Sequence, residues 1–420
     1  MGSVIPSVEQ EARRNAAVSG DIRHAGPATL DQALRAGRDQ LLTLFDGFER
    51  ALGPGGLQVA FDPVLNLPLW ELGHIGWFEE FWLARNPQRL RGTACDPTVP
   101  RSASVLSGAD GLYDSSKVPH KQRWLLELPG VQATCDYLVQ VRQATLALLA
   151  QSGGRDDELY FFRLVLMHED MHREAWHFMA QQLGIDLGPA MNGRAPKSSS
   201  AHGEMQVPGG SYVLGIDGAG FAFDNELRAH PVDLVDFAID RAPVSWARYL
   251  PFIESGGHAS ESLWTPAGWA WRTRQARSCP LHLRRAEGDW QQHRFGVWVP
   301  LDPEAPALHL SAHEAEAWCR WAGRRLPSEA EWETAALRAA TDGEPFDWGE
   351  VWEWTASPFM PYAGFEPHPY RDYSQPWFDG RPVLRGASFA TSPRLKHPCY
   401  RNFFPADRAD VFAGFRTCAP

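Results

Sequence analysis

The sequence predicts an α + (α+β) organisation, in which a bundle of four helices precedes an irregular domain of helices and short strands. Apolar residues in the first half recur with the period of an α-helix. The second half has short apolar segments separated by glycine and proline. A chain of 420 residues suggests two or three domains. We expect a loose segment over residues 1–28, a bundle over 29–187, a linker over 188–205 and a second domain over 206–420.

Composition argues against several functional classes. The formal net charge is −11 at pH 7 and no Lys/Arg run stands out, so a nucleic-acid partner is not expected. The start of the chain lacks the apolar core of a signal peptide, and no stretch approaches the roughly 20 apolar residues of a membrane span. The 6 cysteines show no C-x-x-C spacing and are expected to be reduced thiols. These features predict a soluble cytoplasmic protein with no membrane contact.

The helices of the first half have recognisable ends. They are predicted at about residues 29–53, 68–85, 131–150 and 156–183. Pro68 is a good first-turn residue for the second helix, and Gly184 stands at the expected stop of the fourth. Residues 86–129 form a long irregular connection, and a connection of this length inside a compact unit is usually functional.

The fourth helix carries a pattern typical of a metal site. His168 and His172 are four residues apart, so about 40° separates them around the helix and their rings lie on one face. Two imidazoles in this arrangement can share one metal ion. Glu174 completes a His-x-x-x-His-x-Glu motif, but a rotation of about 200° from His172 places it on the far side. The third ligand is therefore expected on another helix.

His74 is the candidate for that ligand. It lies in the second helix among apolar and aromatic residues, and metal sites in bundles are built from side chains on facing helices. A lone histidine on an apolar helix is more often a packed core residue, and a helical pair can be two satisfied histidines. Their combination in one bundle favours a metal site formed by His74, His168 and His172.

The second half contains four aromatic- and glycine-rich motifs. A strand pair around a turn is predicted at 207–215, and helices are predicted at 242–255 and 311–322. Ser328 is expected to cap a further helix together with Glu331. The motifs, in chain order, are Arg-Leu-Pro-Ser-Glu-Ala-Glu-Trp-Glu from Arg325, Val-Trp-Glu-Trp-Thr from Val351, Leu-Arg-Gly-Ala-Ser from Leu384 and Ala-Gly-Phe-Arg from Ala413.

Together with the histidines, these motifs resemble a known family. The first half resembles the DinB-like four-helix bundle, and the second resembles the formylglycine-generating-enzyme-like domain, a relative of the C-type-lectin fold. Their fusion is similar to the iron-dependent sulfoxide synthases of ergothioneine and ovothiol biosynthesis. The resemblance implies that the second domain covers the active site of the bundle.

The resemblance also implies a chemistry. A non-haem Fe(II) would be held by three histidines, which match His74, His168 and His172, with O2 as co-substrate. The reaction would join a chalcogen to the imidazole of hercynine, which is trimethylated histidine, and oxidise it to the sulfoxide. Tyr370 and Tyr373 match a pair of tyrosines, one of which donates a proton in the family; aromatic packing is the alternative. The outer nitrogens of the histidines need partners, and the candidates are Glu71, Glu79, Glu169 and Asp170.

Departures from the family pattern concern the chalcogen donor. Residues 401–404 read Arg-Asn-Phe-Phe where synthases that use γ-glutamylcysteine have Arg-Asn-Trp-Asp, so Phe404 replaces a carboxylate. His120 and Arg123 stand where the family has two arginines, and Met171 stands where it has glutamine. A site for a highly anionic peptide should keep its arginine fork. The residues expected to line the substrate pocket are His120, Arg123, Met171, Asn402, Phe403 and Phe404.

These departures favour a less charged donor, either cysteine or a sugar. The segments His-Pro-Tyr-Arg-Asp-Tyr-Ser from His368, Arg-Asn-Phe-Phe from Arg401 and Tyr-Asp-Ser-Ser-Lys-Val from Tyr113 look most like the selenoneine synthase branch, which joins hercynine to a selenosugar. The predicted function is C–Se bond formation on hercynine. The alternative is an ergothioneine-type sulfoxide synthase that uses cysteine or γ-glutamylcysteine.

Three further functions stay open. A DinB-type thiol S-transferase with zinc or nickel would explain the bundle but not the fused domain. A formylglycine-generating oxidase would need a paired-cysteine copper site, and the only late cysteines are Cys399 and Cys418. A non-catalytic carbohydrate-binding protein would use the lectin-like domain and leave the histidines unexplained.

Overall fold

The computed structural model describes residues 22–53, 57–188 and 195–420. Most of the expected loose N-terminal segment and part of the expected linker lie outside the described residues. At the start of the described chain, Ile22–His24 form a 3-10 turn. The buried Arg23 guanidinium donates hydrogen bonds of 2.7 and 2.8 Å to the Glu226 carboxylate. This part of the expected loose segment therefore packs against the second half of the chain.

The first half of the described chain is helical. Its α-helices are α1 (Pro27–Leu52), α2 (Pro68–Trp82), α3 (Ala109–Tyr113), α4 (Val131–Leu149) and α5 (Asp156–Leu183). The four long helices lie where the apolar periodicity predicts them. Helix α2 packs against α4 and α5, and α1 packs against α5. Because α2 has neighbours on several sides, nearly all of its residues are buried.

Two glycines allow the close packing of α2. A Cβ at Gly73 would lie 2.3 Å from the Tyr113 ring, and a Cβ at Gly76 would lie 2.9 Å from Leu138. Side chains at these positions would collide with α3 and α4. The glycines therefore let the backbone of Tyr113 approach the face of α2 that carries His74.

Each of the four long helices contributes one residue to a buried cluster of charges. The cluster consists of Arg38 from α1, Glu79 from α2, Arg142 from α4 and Glu169 from α5, all at most 6% exposed. Arg142 Nη2 donates to Glu79 at 2.9 Å and to Glu169 at 2.7 Å, and Arg38 Nη2 donates to the same carboxylates at 2.7 and 2.9 Å. Burial alone would raise the pKa of Glu79, but Arg142 and Arg38 hold it at about 2. The cluster ties all four helices together.

The second half combines small sheets with short helices. The helices are α6 (Trp246–Glu254), α7 (Pro266–Gln275), α8 (Ala312–Ala322) and α9 (Glu329–Asp342). The strands are β1 (Glu204–Val207), β2 (Gly210–Leu214), β3 (His230–Leu234), β4 (Phe237–Asp240), β5 (Leu283–Ala286), β6 (Asp289–Arg294), β7 (Val297–Pro300), β8 (Trp352–Pro358), β9 (Pro382–Gly386), β10 (Asn402–Phe403) and β11 (Ala413–Gly414). The largest sheet has the order β10-β9-β8-β11, with β11 parallel to β8.

The prediction of a strand pair at 207–215 is wrong, although both strands exist. Strand β1 pairs with β4, and β2 pairs with β3. The two residues between β1 and β2 are Pro208 and Gly209, and neither has the positive φ that a tight hairpin turn requires. The chain therefore continues into a second sheet. The capping prediction is confirmed: Ser328 Oγ accepts a hydrogen bond from the Glu331 amide at 3.1 Å.

The two halves meet along α5. Glu174 Oε1 accepts hydrogen bonds from Trp352 Nε1 at 2.8 Å, Ser388 Oγ at 2.5 Å and Thr391 Oγ1 at 2.8 Å. One turn earlier, Asp170 accepts two hydrogen bonds from Arg394, at 2.5 and 2.9 Å. Buried carboxylates of one half are thus satisfied by donors of the other. None of the helices in the described part of the chain combines the length and apolarity needed to cross a membrane.

Candidate metal centre and active site

Three histidines lie together between α2 and α5. One ring nitrogen from each of His74, His168 and His172 lies within 4.8 Å of the other two. The ring centroids of His168 and His172 are 4.4 Å apart, and the centroid of His74 lies 5.2 and 5.0 Å from them. His74 and His168 are buried, and His172 is partly exposed. The structure therefore brings together the three residues that the sequence singled out, and Glu174 lies outside their cluster.

Hydrogen bonds fix the orientation of two of the rings. His74 Nδ1 lies 2.8 Å from the Tyr113 carbonyl oxygen, and His172 Nδ1 lies 2.7 Å from Glu71 Oε1. Both partners are acceptors, so each ring donates through Nδ1 and keeps the lone pair of Nε2 for the centre. The ring of His168 is held differently, because it stacks on Phe78 at 3.6 Å between centroids with 4° between the planes.

Of the four acidic candidates for the outer partner, Glu71 is the one that contacts a histidine of the cluster. Glu79 and Glu169 belong to the buried charge cluster, and Asp170 binds Arg173 and Arg394. The backbone carbonyl of Tyr113 was not foreseen, because a carbonyl partner leaves no signal in residue types. The long connection that supplies it was expected to be functional.

The environment of His74 and His168 favours their neutral forms. Burial lowers the pKa of His74 well below its usual value, and His172 lowers it further. Burial and His172 have the same effect on the pKa of His168. Both rings are therefore uncharged at neutral pH, which is the state of histidine that binds a metal ion.

The spacing of His168 and His172 fits a shared metal ion. Nε2 of His172 lies 3.2 Å from Nε2 of His168. With metal–nitrogen bonds of about 2.1 Å, two ligands lie about 3.0 Å apart at a right angle and about 3.4 Å apart at a tetrahedral angle. The observed distance falls between these values. A set of three imidazoles suits iron, zinc, copper or nickel, and disfavours magnesium or calcium.

The predicted tyrosines lie on a segment of the second half, residues 368–377, that we call the tyrosine segment. The Tyr370 ring lies 6.2 Å from that of His168 and 4.8 Å from that of Phe78. Tyr373 donates to Tyr400 Oη at 3.2 Å and stacks on Phe223 at 4.3 Å. Tyr370 is therefore the nearer of the two to the histidines. Burial raises the pKa of both phenols above the usual value, so both keep their protons at neutral pH.

Asp224 contacts the tyrosine segment at two positions, His368 and Ser374. Its carboxylate accepts hydrogen bonds from Ser374 Oγ at 2.5 Å and from the His368 amide at 3.2 Å. Burial raises the pKa of Asp224 to about 6, although these hydrogen bonds lower it. The His368 ring lies 3.1 Å from Tyr160 Oη of α5, which links the segment to the bundle. The sequence around Asp224 does not indicate its role, because that role depends on residues about 150 positions away.

Two adjoining spaces lie next to the metal-site region, and one of them is lined by histidines of the cluster. The first, which we call the histidine cleft, has a volume of about 600 Å3 and is lined by His168 and His172 together with residues such as Arg123, Tyr370 and Asp372. The second, which we call the aromatic cavity, measures about 310 Å3 and contains Glu174, Trp352, Tyr400, Asn402 and Phe404 in its lining. Met171, Ala175, Tyr373 and Phe403 line both spaces.

The predicted substrate-binding residues divide between these spaces. Arg123 lines the cleft, Asn402 and Phe404 line the cavity, and Met171 and Phe403 line both. His120 is placed elsewhere: its Nε2 lies 2.7 Å from the Leu65 carbonyl oxygen, and it lines neither space. His120 lies in the irregular connection, which has no periodicity from which the direction of the His120 side chain could be predicted.

Arg123 is linked to the histidine cluster indirectly, through the ring of Trp70. Its guanidinium lies 3.8 Å from the centroid of Trp70, and Trp70 stacks on His74 with 5.0 Å between centroids. Arg123 also donates to Asn66 Oδ1 at 2.6 Å. Burial lowers its pKa to about 10, while Glu71 raises it. The arginine therefore stays charged at neutral pH.

Comparisons with known proteins cover both halves. The model of the family described as "Sulfatase-modifying factor enzyme 1-like domain" matches residues 190–350. A hercynine oxygenase of Mycolicibacterium thermoresistibile is 33% identical over 93% of this chain and 94% of that protein. One of Mycolicibacterium smegmatis is 31% identical over 92% and 98%. A formylglycine-generating enzyme of Streptomyces coelicolor is 32% identical, over 38% of this chain and 54% of the enzyme. The oxygenases therefore match both halves, and the formylglycine-generating enzyme matches less than half of the chain.

Replacement of a histidine of the cluster should remove the metal. For His172→Ala we expect a loss of metal affinity greater than the about 10–100-fold that loss of an outer partner costs. Glu71→Gln keeps the ligand but weakens its partner, and should fall within that range. Glu174→Gln, two residues from His172 but outside the cluster, is the matched control and should retain its metal. Metal analysis after anaerobic purification and metal titration would measure this. Equal losses in Glu174→Gln and His172→Ala would contradict the assignment.

The raised pKa of Asp224 predicts a pH-dependent stability. The folded chain binds this proton more tightly than the unfolded chain, so the contribution is present below about pH 4 and is lost as pH rises through about 6. The free energy of unfolding of Asp224→Asn, relative to the wild type, should therefore rise by up to about 3 kcal/mol between pH 4 and 8. Denaturant titrations across this range would measure it, with Asp289→Asn, at the exposed start of β6, as control. A difference that does not change with pH would contradict the prediction.

Proposed function

The chain belongs to the hercynine oxygenase family, and from this membership we propose that it is a non-haem Fe(II) enzyme that uses O2 to form a carbon–chalcogen bond on the imidazole of hercynine. The observation that carries the proposal is the cluster of three histidines beside a cleft lined by both halves. The reaction consumes hercynine, a thiol or selenol and O2, and yields the coupled chalcogen oxide and water. One oxygen atom goes to the chalcogen, and the other leaves as water with the two displaced hydrogens.

Iron held by His74, His168 and His172 would supply the redox chemistry with O2. The protein itself supplies orientation. Glu71 and the Tyr113 carbonyl fix two of the imidazoles, and Phe78 packs flat against the third. These contacts orient the donor set towards a common centre.

The aromatic cavity fits the quaternary ammonium of hercynine. Aromatic faces attract such cations, especially where water is excluded. Trp352, Tyr400 and Phe403 supply rings, and Glu174 supplies a carboxylate. Burial raises the pKa of Glu174, while its hydrogen bonds and a bound cation favour the ionised form. We place the trimethylammonium group here and the imidazole towards the histidines, since Met171 and Ala175 connect the two spaces.

The charges of the lining favour a donor with little net charge. Arg408 of the aromatic cavity is paired with Asp410, with hydrogen bonds of 2.5 and 2.6 Å. Arg123 therefore carries the cation available to a donor in the cleft, and Phe404 stands where related synthases have a carboxylate. A peptide with two carboxylates would lack its second guanidinium. We propose a selenosugar as the donor, with cysteine or γ-glutamylcysteine as the alternative.

Tyr370 should act as the proton donor. It lies nearer to His168 than Tyr373 does, and a positioned proton donor contributes about 10²–10⁴-fold to a rate. Tyr370→Phe should therefore slow coupling by this order or divert it to another oxidation product, with hercynine binding unchanged. Tyr373→Phe, whose hydroxyl is engaged by Tyr400, is the matched control and should have the smaller effect. Rates and product ratios by mass spectrometry would decide, and wild-type behaviour of both variants would eliminate the role.

A competition assay tests the donor. The iron-loaded enzyme is given hercynine, O2 and equal concentrations of 1-seleno-β-D-glucose, cysteine and γ-glutamylcysteine. A lost guanidinium–carboxylate contact costs about 1.5–3 kcal/mol, or about ten- to hundred-fold in affinity, so the sugar product should dominate. Phe404→Asp should not improve use of the sugar. A product derived mainly from γ-glutamylcysteine would contradict the proposed donor and favour the alternative function, an ergothioneine-type sulfoxide synthase.

A further inference from the structure

The histidine cleft has an outer part whose chemistry differs from that of the aromatic cavity. Ser115, Ser116, Asp372 and Trp377 line it, and all are exposed. Ser115 and Ser116 come from the irregular connection of the first half, and Asp372 and Trp377 come from the tyrosine segment. The opening is therefore bordered by two hydroxyls, a carboxylate and an indole. Its volume of about 600 Å3 falls within the about 300–1,000 Å3 of small-molecule sites.

We propose that Asp372, Ser115, Ser116 and Trp377 form a polyol subsite that binds the hydroxyl groups of the chalcogen donor. This inference rests on the proposed function and deepens it, because it assigns the sugar part of the donor to named residues. A carboxylate accepts hydrogen bonds from neighbouring hydroxyls, serine both donates and accepts, and an indole face packs on the C–H face of a sugar ring.

The hydrogen bonds of these residues leave groups free for a ligand. Ser116 Oγ donates to Asp114 Oδ1 at 2.6 Å, so its remaining capacity is to accept from a ligand hydroxyl. Trp377 Nε1 donates to the Asp372 carbonyl oxygen at 2.9 Å, which fixes the indole beside that residue. No hydrogen bond or ion pair to the Asp372 carboxylate is found among the residues that the structure describes. Arg381 lies over one face of the indole, with its guanidinium carbon 4.8 Å from the ring centroid, so the opposite face is the one that a sugar could use. The subsite therefore has a ring of fixed position and an unused acceptor.

The charges at the opening disfavour an anionic donor. Asp372 supplies a carboxylate at the outer edge of the cleft, and Asp114 nearby is paired with Lys117 Nζ at 2.7 Å. Burial raises the pKa of Asp372, and the charge of Asp114 raises it further. A carboxylate of a peptide donor would meet repulsion at this edge. Arg123 and Asp372 form no ion pair with each other across the described cleft. A neutral ring with hydroxyls at its periphery can donate a hydrogen bond to the Asp372 carboxylate without bringing a negative charge to this edge.

Donor kinetics would test the subsite. With hercynine saturating, Asp372→Asn should raise the KM for 1-thio-β-D-glucose about ten- to hundred-fold, as expected for loss of a charged hydrogen bond, and change the KM for cysteine less than about twofold. The Ser115→Ala/Ser116→Ala double variant should act in the same direction. Gln375→Ala, on the same exposed segment but outside the cleft lining, is the matched control and should match the wild type. Equal changes for thioglucose and cysteine, or none, would overturn the subsite.

A binding measurement separates this inference from the proposed reaction. Methyl β-D-glucopyranoside carries the hydroxyls but no chalcogen, and it should bind to the full chain with hercynine present and lose affinity in Asp372→Asn by the same factor. If the wild type couples no donor to hercynine but still binds the glucoside through Asp372, the proposed function fails and the subsite stands. If hercynine is consumed but glucoside binding is absent or insensitive to Asp372→Asn, the subsite fails and the proposed function stands.

Discussion

The geometry of the site depends on a buried cluster of four charges, one from each long helix. Its two arginines, Arg38 and Arg142, each bond to both Glu79 and Glu169. Such a cluster adds little stability over apolar packing, but leaving one member unpaired costs about 3–5 kcal/mol, so alternative registers of the helices are penalised. Glu169 directly follows His168, and Glu79 is one and a half turns after the histidine of α2. The charges that fix the register therefore also fix which histidines face each other.

Helix α5 serves different neighbours around its circumference. His168 and His172 face α2, whereas Asp170 and Glu174 bind donors of the second half. The helix that carries two histidines thus also positions the domain that covers them. A displacement of the second half along α5 would break the three hydrogen bonds to Glu174 and move the tyrosine segment relative to the histidines. This dual role explains why the carboxylate of the His-x-x-x-His-x-Glu motif is buried without being part of the cluster.

Local sequence patterns were sufficient where a structural feature depends on neighbours in the chain. The apolar period located the long helices, and the four-residue spacing with its rotation about the axis placed His168 and His172 together and Glu174 apart. The patterns were insufficient where a structural feature depends on contacts between segments that are distant in the chain. Four acidic residues could have oriented the histidines, and only the packing of α2 against α5 selects Glu71. The partners of β1 and β2 and the direction of His120 depend in the same way on distant segments.

The histidine cleft and the aromatic cavity offer a ligand different physical interactions, and in the proposed binding mode this difference would separate the two substrates. The aromatic cavity offers rings around the Glu174 carboxylate, a combination whose attraction for a cation grows as water is excluded. The outer cleft offers exposed hydroxyls and the Asp372 carboxylate, which suit a neutral molecule that exchanges hydrogen bonds with water for hydrogen bonds with protein. A quaternary ammonium has no hydrogen to donate and gains little in the cleft. A polyol would exchange part of its hydration for contacts with rings. In the proposed binding mode each substrate therefore prefers its own space, and the shared wall around Met171 would bring their reactive ends together beside the histidines.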